Sequence, residues 1–131
     1  LAKRVERVER RTLAQQVVGM LEGAETLGEI RLVVAEREGS ARDLIGLARQ
    51  LLSEPGVVAI LGAKDESASI LIGRSEDVSL DAMAAIEDAA STLGGRGGGK
   101  PDLAQGGGPR TDRLTEALRQ AEARVRELLA S

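Results

Sequence analysis

Apolar positions along this chain follow two periods, and the switches between them mark its elements. Leu13, Val17, Met20 and Leu21 fall at i, i+4, i+7 and i+8, one stripe of a helix. Leu1, Val5 and Val8 extend a looser stripe backwards, so a helix is expected over residues 1–22, with Gly23 and Gly28 closing it. Its second half is expected to pack on the body of the protein. Residues 30–35 are a short β-rich run, read as a buried strand and broken by Gly39-Ser40. Ser40 has the character of an N-cap, with Asp43 in the first turn, for a helix reaching about Leu52. Leu44, Ile45, Leu47, Ala48, Leu51 and Leu52 form its apolar face, and Pro55-Gly56 stops it.

The unbroken apolar run Val57-Val58-Ala59-Ile60-Leu61 predicts a central strand buried on both faces. A short polar connection joins it to a second strand over residues 69–73, which suggests an antiparallel hairpin. Ser79 reads as another N-cap, with a helix over residues 80–93 that places Met83, Ile86, Ala90 and Leu93 on one side. Pro109 and Thr111 introduce a last helix with Leu114, Leu118, Ala121, Val125, Leu128 and Leu129 inward and a Glu122–Arg126 pair outward. The order is α-β-α-β-β-α-loop-α. The expected fold class is α/β: a small mixed sheet of about three to four strands covered by helices, with a helical N-terminal extension and a C-terminal helix. Residues 1–24 read as a helical connector and residues 25–131 as the globular unit.

Composition narrows the chemistry. The chain has no cysteine and no histidine, which removes thiol chemistry, the usual zinc ligands and the commonest general base. No spacing of carboxylates argues for a metal, and no cofactor or catalytic residue is expected. Phe, Trp and Tyr are all absent, so the core is aliphatic and bases cannot stack on aromatic rings. Mean hydropathy is −0.12, and no apolar run approaches the roughly 18 residues that span a membrane. The chain opens on Leu1 without a signal-peptide pattern, which reads as a segment of a longer protein. The net charge of −3 hides an asymmetry. Residues 1–11 carry five basic groups against two acidic, residues 22–92 six against fourteen, and residues 94–131 seven against five. Basic ends and an acidic middle suit one phosphate-facing surface and one repelling surface. Arg4, Arg7 and Arg11 share one face of the N-terminal helix, as further candidates for RNA contact.

The most specific segment lies between the last two helices. Residues 94–108 read Gly-Gly-Arg-Gly-Gly-Gly-Lys-Pro-Asp-Leu-Ala-Gln-Gly-Gly-Gly and hold eight of the sixteen glycines. A flexible linker would need neither Leu103, which wants burial, nor Asp102 and Gln105, which are able to tie loop amides. Glycine backbone can approach a ligand closely and can gather N–H groups into an anion nest. The candidate site is therefore Arg96, Gly97, Gly98, Gly99, Lys100 and Gln105. Arg110 and Arg113 extend it at the start of the last helix.

This segment resembles the signature loop in the C-terminal domain of alanyl-tRNA synthetases, of the type Gly-Gly-x-Gly-Gly-Gly-Arg/Lys-Pro-Asp-Met/Leu-Ala-Gln-x-Gly-Gly. The likeness covers residues 30–130 and the first helix loosely. It implies a non-catalytic, cytoplasmic tRNA-binding domain of an alanine–tRNA ligase. Such a domain contacts the outer corner of tRNA and helps couple aminoacylation to editing. The implied partners are alanine-specific tRNA, the aminoacylation and editing domains of the same chain, and a second copy in a homodimer; no membrane is implied. A related domain forms the substrate-binding half of DHH-type phosphoesterases, the alternative reading, but there the loop carries a histidine where this chain has Lys100 after Gly97-Gly98-Gly99. A dimerisation module built on the terminal helices is the third reading.

Overall fold

The computed structural model describes residues 12–130. Helix α1 (Leu13–Glu22) starts at Thr12, which is extended and closes a capping box with Gln15. Among the described residues the helix expected over residues 1–22 runs from Leu13, because a threonine with glutamine three residues on satisfies the free amides of a helix start. Residues 1–11, with the candidate contacts Arg4, Arg7 and Arg11, lie outside the described residues. A short strand β1 (Glu25–Leu27) and a long one β2 (Ile30–Glu38) follow, antiparallel and turning at Gly28 with φ +63°. Then come α2 (Ala41–Leu52), β3 (Val57–Lys64), β4 (Ala68–Arg74), α3 (Ala82–Thr92), β5 (Arg96–Lys100), β6 (Leu103–Gly108), a 3₁₀ turn (Thr111–Arg113) and α4 (Leu114–Ala130).

The sheet has six strands in the order β1-β2-β3-β4-β6-β5, with β2 and β3 parallel and every other pair antiparallel. The α/β class stands, but the strand count exceeds the expected three to four. The brief β1 has no apolar run to announce it. The other two additional strands come from the glycine segment, expected as a loop between helices and found as a hairpin inside the sheet.

Each face of the sheet carries its own core. Ile60, Ile70, Ile72 and Ala104 point to the face covered by α3 and α4, against Ile86, Leu93, Leu114 and Val125. Ala59, Leu61 and Leu71 point to the opposite face, against Leu44, Leu47 and Leu51 of α2 and Val17 and Leu21 of α1. The central strand β3 is buried through Ala63, as its apolar run predicts. Gly62 leaves room on the first face for Leu114 and Leu118, whose methyl groups would lie 3.0 Å from an added Cβ.

Helix starts follow side-chain oxygens. Ser40 is the expected N-cap of α2 and forms a reciprocal capping box with Asp43, and hydrogen bonds from Ser40, backbone first, hold the Asp43 carboxyl below its usual pKa. For α3 the cap is Asp81 and not Ser79: the Asp81 carboxylate accepts from the Met83 amide at 3.0 Å, which shortens the expected helix at its start. Ser75 is the buried polar side chain among the described residues. Its Oγ accepts from the Val57 amide at 3.0 Å and its hydroxyl donates to the Glu54 carbonyl, latching the end of β4 to the start of β3. Replacing it with alanine strands the Val57 amide away from water. Ser75→Ala is expected to lower stability by about 1–3 kcal/mol, read as a lower midpoint in urea denaturation.

Candidate nucleic-acid interface

The hairpin β5–β6 forms one edge of the sheet, and its register sorts the candidate residues. Arg96 lies opposite Gly107, Gly98 opposite Gln105 and Lys100 opposite Leu103. On the other side of β6, Gln105 faces Leu71 and Leu103 faces Gly73 of β4. Directly opposed residues share a face, so Arg96, Gly98, Lys100 and Gln105 sit on the face of Leu71. Helices α1 and α2 cover that face over the middle of the sheet, while Arg96, Gly98 and Lys100 are exposed. The alternate positions of the hairpin turn inward to α3. A Cβ on Gly97 would lie 2.6 Å from Ile86 Cγ2, and one on Gly106 would lie 2.6 Å from Ala90 Cβ.

The glycines therefore have different tasks. Gly95, Gly107 and Gly108 are closed by backbone: an added Cβ would come within 1.6, 2.7 and 2.2 Å of carbonyl oxygens. Gly94 and Gly99 take φ of +89° and +133°, which side-chain-bearing residues rarely adopt. Gly97 and Gly106 admit α3. Gly98 alone of the eight has ordinary φ and nothing within 4 Å of an added Cβ. The fold does not require glycine there. Its bareness serves the outward side, where it is bracketed by Arg96, Lys100 and Gln105.

The anion nest imagined for this segment is not formed, because β5 is extended and its backbone pairs with β6. What results is a flat shelf about 13 Å long at roughly 3.3 Å per residue, with a cation at each end and a side-chain amide in the middle. Among the described residues the side chains of Arg96, Lys100 and Gln105 have no hydrogen-bond or ion-pair partner. The Asp102 carboxylate likewise ties no loop amide; its backbone carbonyl accepts from the Arg74 amide at 3.0 Å instead. Arg110 is exposed beside Gly94, with its amide donating to the Leu93 carbonyl at 3.0 Å, at the Arg96 end of the shelf. Arg113 is separated from this group. It heads α4, which packs on the other face, and it pairs with Glu116 at 3.2 Å and not with Asp112.

Beyond the hairpin turn the shelf opens into a cleft of about 940 Å³ between the end of α2 and the end of β4. Arg49 and Ser53 form one wall, Lys100 to Leu103 the other, with Arg74 and Glu76 also lining it. Leu52 and Leu103 meet over Gly73, which brings α2 against the turn. Arg49 and Arg74 were not expected at the site. In sequence Arg49 is an outward residue of an amphipathic helix, and only the β4–β6 pairing brings α2 beside the glycine segment. The opposite face carries a groove of contrary charge between α3 and α4, lined by Glu87, Asp88 and Glu127 with Arg124.

Comparison with known proteins places these features in a family. Residues 29–127 match the DHHA1 domain. The alanine–tRNA ligase of Methanoregula boonei is 37% identical over 123 residues, covering 94% of this chain and 13% of that protein. The alanine–tRNA ligase of Natronomonas pharaonis is 38% identical over 128 residues, covering 97% and 14%. The C-Ala domain from Aquifex aeolicus alanyl-tRNA synthetase has a similar structure, with a TM-score of 0.68 and 27% identity over 78% of this chain and 96% of that one. The chain thus spans only 13–14% of the length of these two ligases.

The division among the glycines is open to test by urea denaturation. Gly106→Ala is expected to lose about 1–3 kcal/mol through overpacking against Ala90. Gly98→Ala is expected to keep or slightly raise stability, since it restricts the unfolded chain without a clash.

Proposed function

The chain belongs to the DHHA1 domain family, as the C-terminal domain of alanyl-tRNA synthetases does, and from that premise we propose that it binds tRNA through the shelf of the β5–β6 hairpin. The observation that carries this reading is Gly98, a glycine the fold does not need, set between Arg96 and Lys100 on an open face. A surface without a Cβ admits the flat tip of the tRNA outer corner, where bases of two loops meet. The cations at its ends hold the flanking phosphates and fix orientation. With no aromatic side chain in the sequence, affinity rests on backbone approach and charge and recognition follows RNA shape. Arg96, Gly97, Gly98, Gly99, Lys100, Gln105 and Arg110 make up this interface, with Gly97 and Gly99 shaping it; Arg113, at the head of α4 on the other face, stands apart from it.

In the parent protein, which we take to be a cytoplasmic alanine–tRNA ligase, this domain acts without catalysis. It holds the corner of an alanine-specific tRNA while the acceptor end visits the aminoacylation and editing domains. Residues 1–24 form the connector and residues 25–131 the binding unit. Val17 and Leu21 lie in the core beside α2, which fixes the direction in which the connector arrives.

A titration of the 131-residue chain against folded tRNA, with an unstructured RNA of equal length as control, tests the reading. Tighter binding to folded tRNA, falling linearly on a log–log plot against salt, is expected. Equal affinity for both RNAs counts against it. Lys100→Ala is expected to cost about 1 kcal/mol of binding. Gly98→Val is expected to weaken binding while leaving the urea midpoint in place; unchanged affinity in that variant removes the shelf from the interface.

A further inference from the structure

We infer that the cleft beyond the hairpin turn is a second phosphate subsite, in which Arg49 and Arg74 hold the backbone of the same folded RNA strand as it leaves the shelf. This rests on the tRNA reading above and extends it to two elements that the glycine segment does not include. Three basic residues from three elements line one concavity: Arg49 from α2, Arg74 from β4 and Lys100 from β5. Lys100 and Gln105 belong to both shelf and cleft, so a strand lying across the shelf continues into the cleft without a gap.

Arg74 is braced for such a contact. Its Nε donates to the Leu80 carbonyl at 2.6 Å and its Nη1 to the Ser75 carbonyl at 3.3 Å, while Nη2 has no partner among the described residues. A guanidinium held by two backbone carbonyls has already lost its rotamer freedom, so little further ordering accompanies a bond to phosphate. Arg49 is the unbraced counterpart, exposed and without an ion pair among the described residues. Glu76 and Asp102 also line the cleft. They repel a free multivalent anion more strongly than a phosphodiester, which carries one charge per residue.

Arg49 is the residue to vary, because it supports no packing, whereas Arg74 ties β4 to the segment before α3. The probe is folded tRNA bound to the 131-residue chain across a salt series. Arg124→Glu, in the groove of the opposite face, controls for the change in net charge, and urea midpoints confirm folding. Arg49→Ala is expected to weaken binding about threefold to tenfold and to reduce the slope of log K against log salt by about one. Arg49→Glu is expected to weaken it further and well beyond Arg124→Glu, and Arg49→Lys to recover part of the loss. Equal losses in the two charge reversals, or an Arg49→Glu variant that binds like the parent chain while Lys100→Ala and Gly98→Val bind poorly, would overturn the cleft and leave the shelf standing. A parent chain that does not prefer folded tRNA would overturn both.

Discussion

The architecture of the interface depends on how closely α3 approaches the hairpin. Ala82, Ala85, Ala89 and Ala90 give α3 a face of small side chains, and Gly97 and Gly106 remove the opposing ones. Ile86 fills the space left over Gly97. In a chain with no aromatic residues, this close packing is how an edge strand with glycine at three of its five positions is kept in the sheet. Glycine in a strand costs conformational entropy and offers no side chain to bury. Here the cost is offset by burial of α3 on the inward face and by pairing of β6 with β4 over six positions. The same requirement leaves the outward face nearly without side chains. Packing on one side of the hairpin and access on the other are consequences of one glycine pattern, and Gly98 is where they separate.

Charge then assigns the faces. From the acidic middle of the sequence, Glu76 lines the cleft beside the hairpin. Glu87 and Asp88 of α3 and Glu127 of α4 are gathered in the groove on the opposite side, while Arg96, Lys100, Arg110 and Arg49 lie at the shelf and cleft. A polyanion near this domain is attracted on one side and repelled on the other, so a net charge of −3 does not weigh against RNA binding. Exposed ion pairs such as Arg124–Glu127 at 2.9 Å add little to stability, so their chief effect is on the local sign of the surface. Arg126 differs, since it bridges Glu25 at 2.6 Å and Glu122 at 2.9 Å, joining the β1 edge to α4 and holding the Glu25 carboxyl below its ordinary pKa.

Much of the fold was legible because helices and buried strands leave strong periodic marks. The stripe from Leu44 to Leu52, the run from Val57 to Leu61 and the capping pair Ser40–Asp43 each state one local rule, and the structure follows it. The glycine segment misled because its rule is not local. A stretch such as Arg96-Gly97-Gly98-Gly99-Lys100 has no hydrophobic alternation, and β propensity scores it as loop. It becomes a strand only because Leu103 and Ala104 are drawn to opposite faces of a sheet already begun by β4, with the glycines following in register. Asp81 displaced Ser79 as the cap of α3 for a related reason. Leu80 is buried with the core of that face, so the chain stays extended past Ser79 and the helix starts once Leu80 is seated.

The candidate site was legible in its residue types more than in its shape. Sequence brought Arg96, Lys100 and Gln105 together because they are neighbours, and it added Arg113 by the same proximity. Three-dimensional pairing keeps the first three on one face and sends Arg113 to the head of α4, on the other. It also draws in Arg49, some fifty residues away in the chain, through Leu52 packing over Gly73 beside Leu103. Glycine matters here for different reasons at successive positions, one facing a helix, one facing outward, one supplying a positive φ. Only the outward one is free of a structural demand, so a surface built this way is specified by where a side chain is missing as much as by where a charge is present.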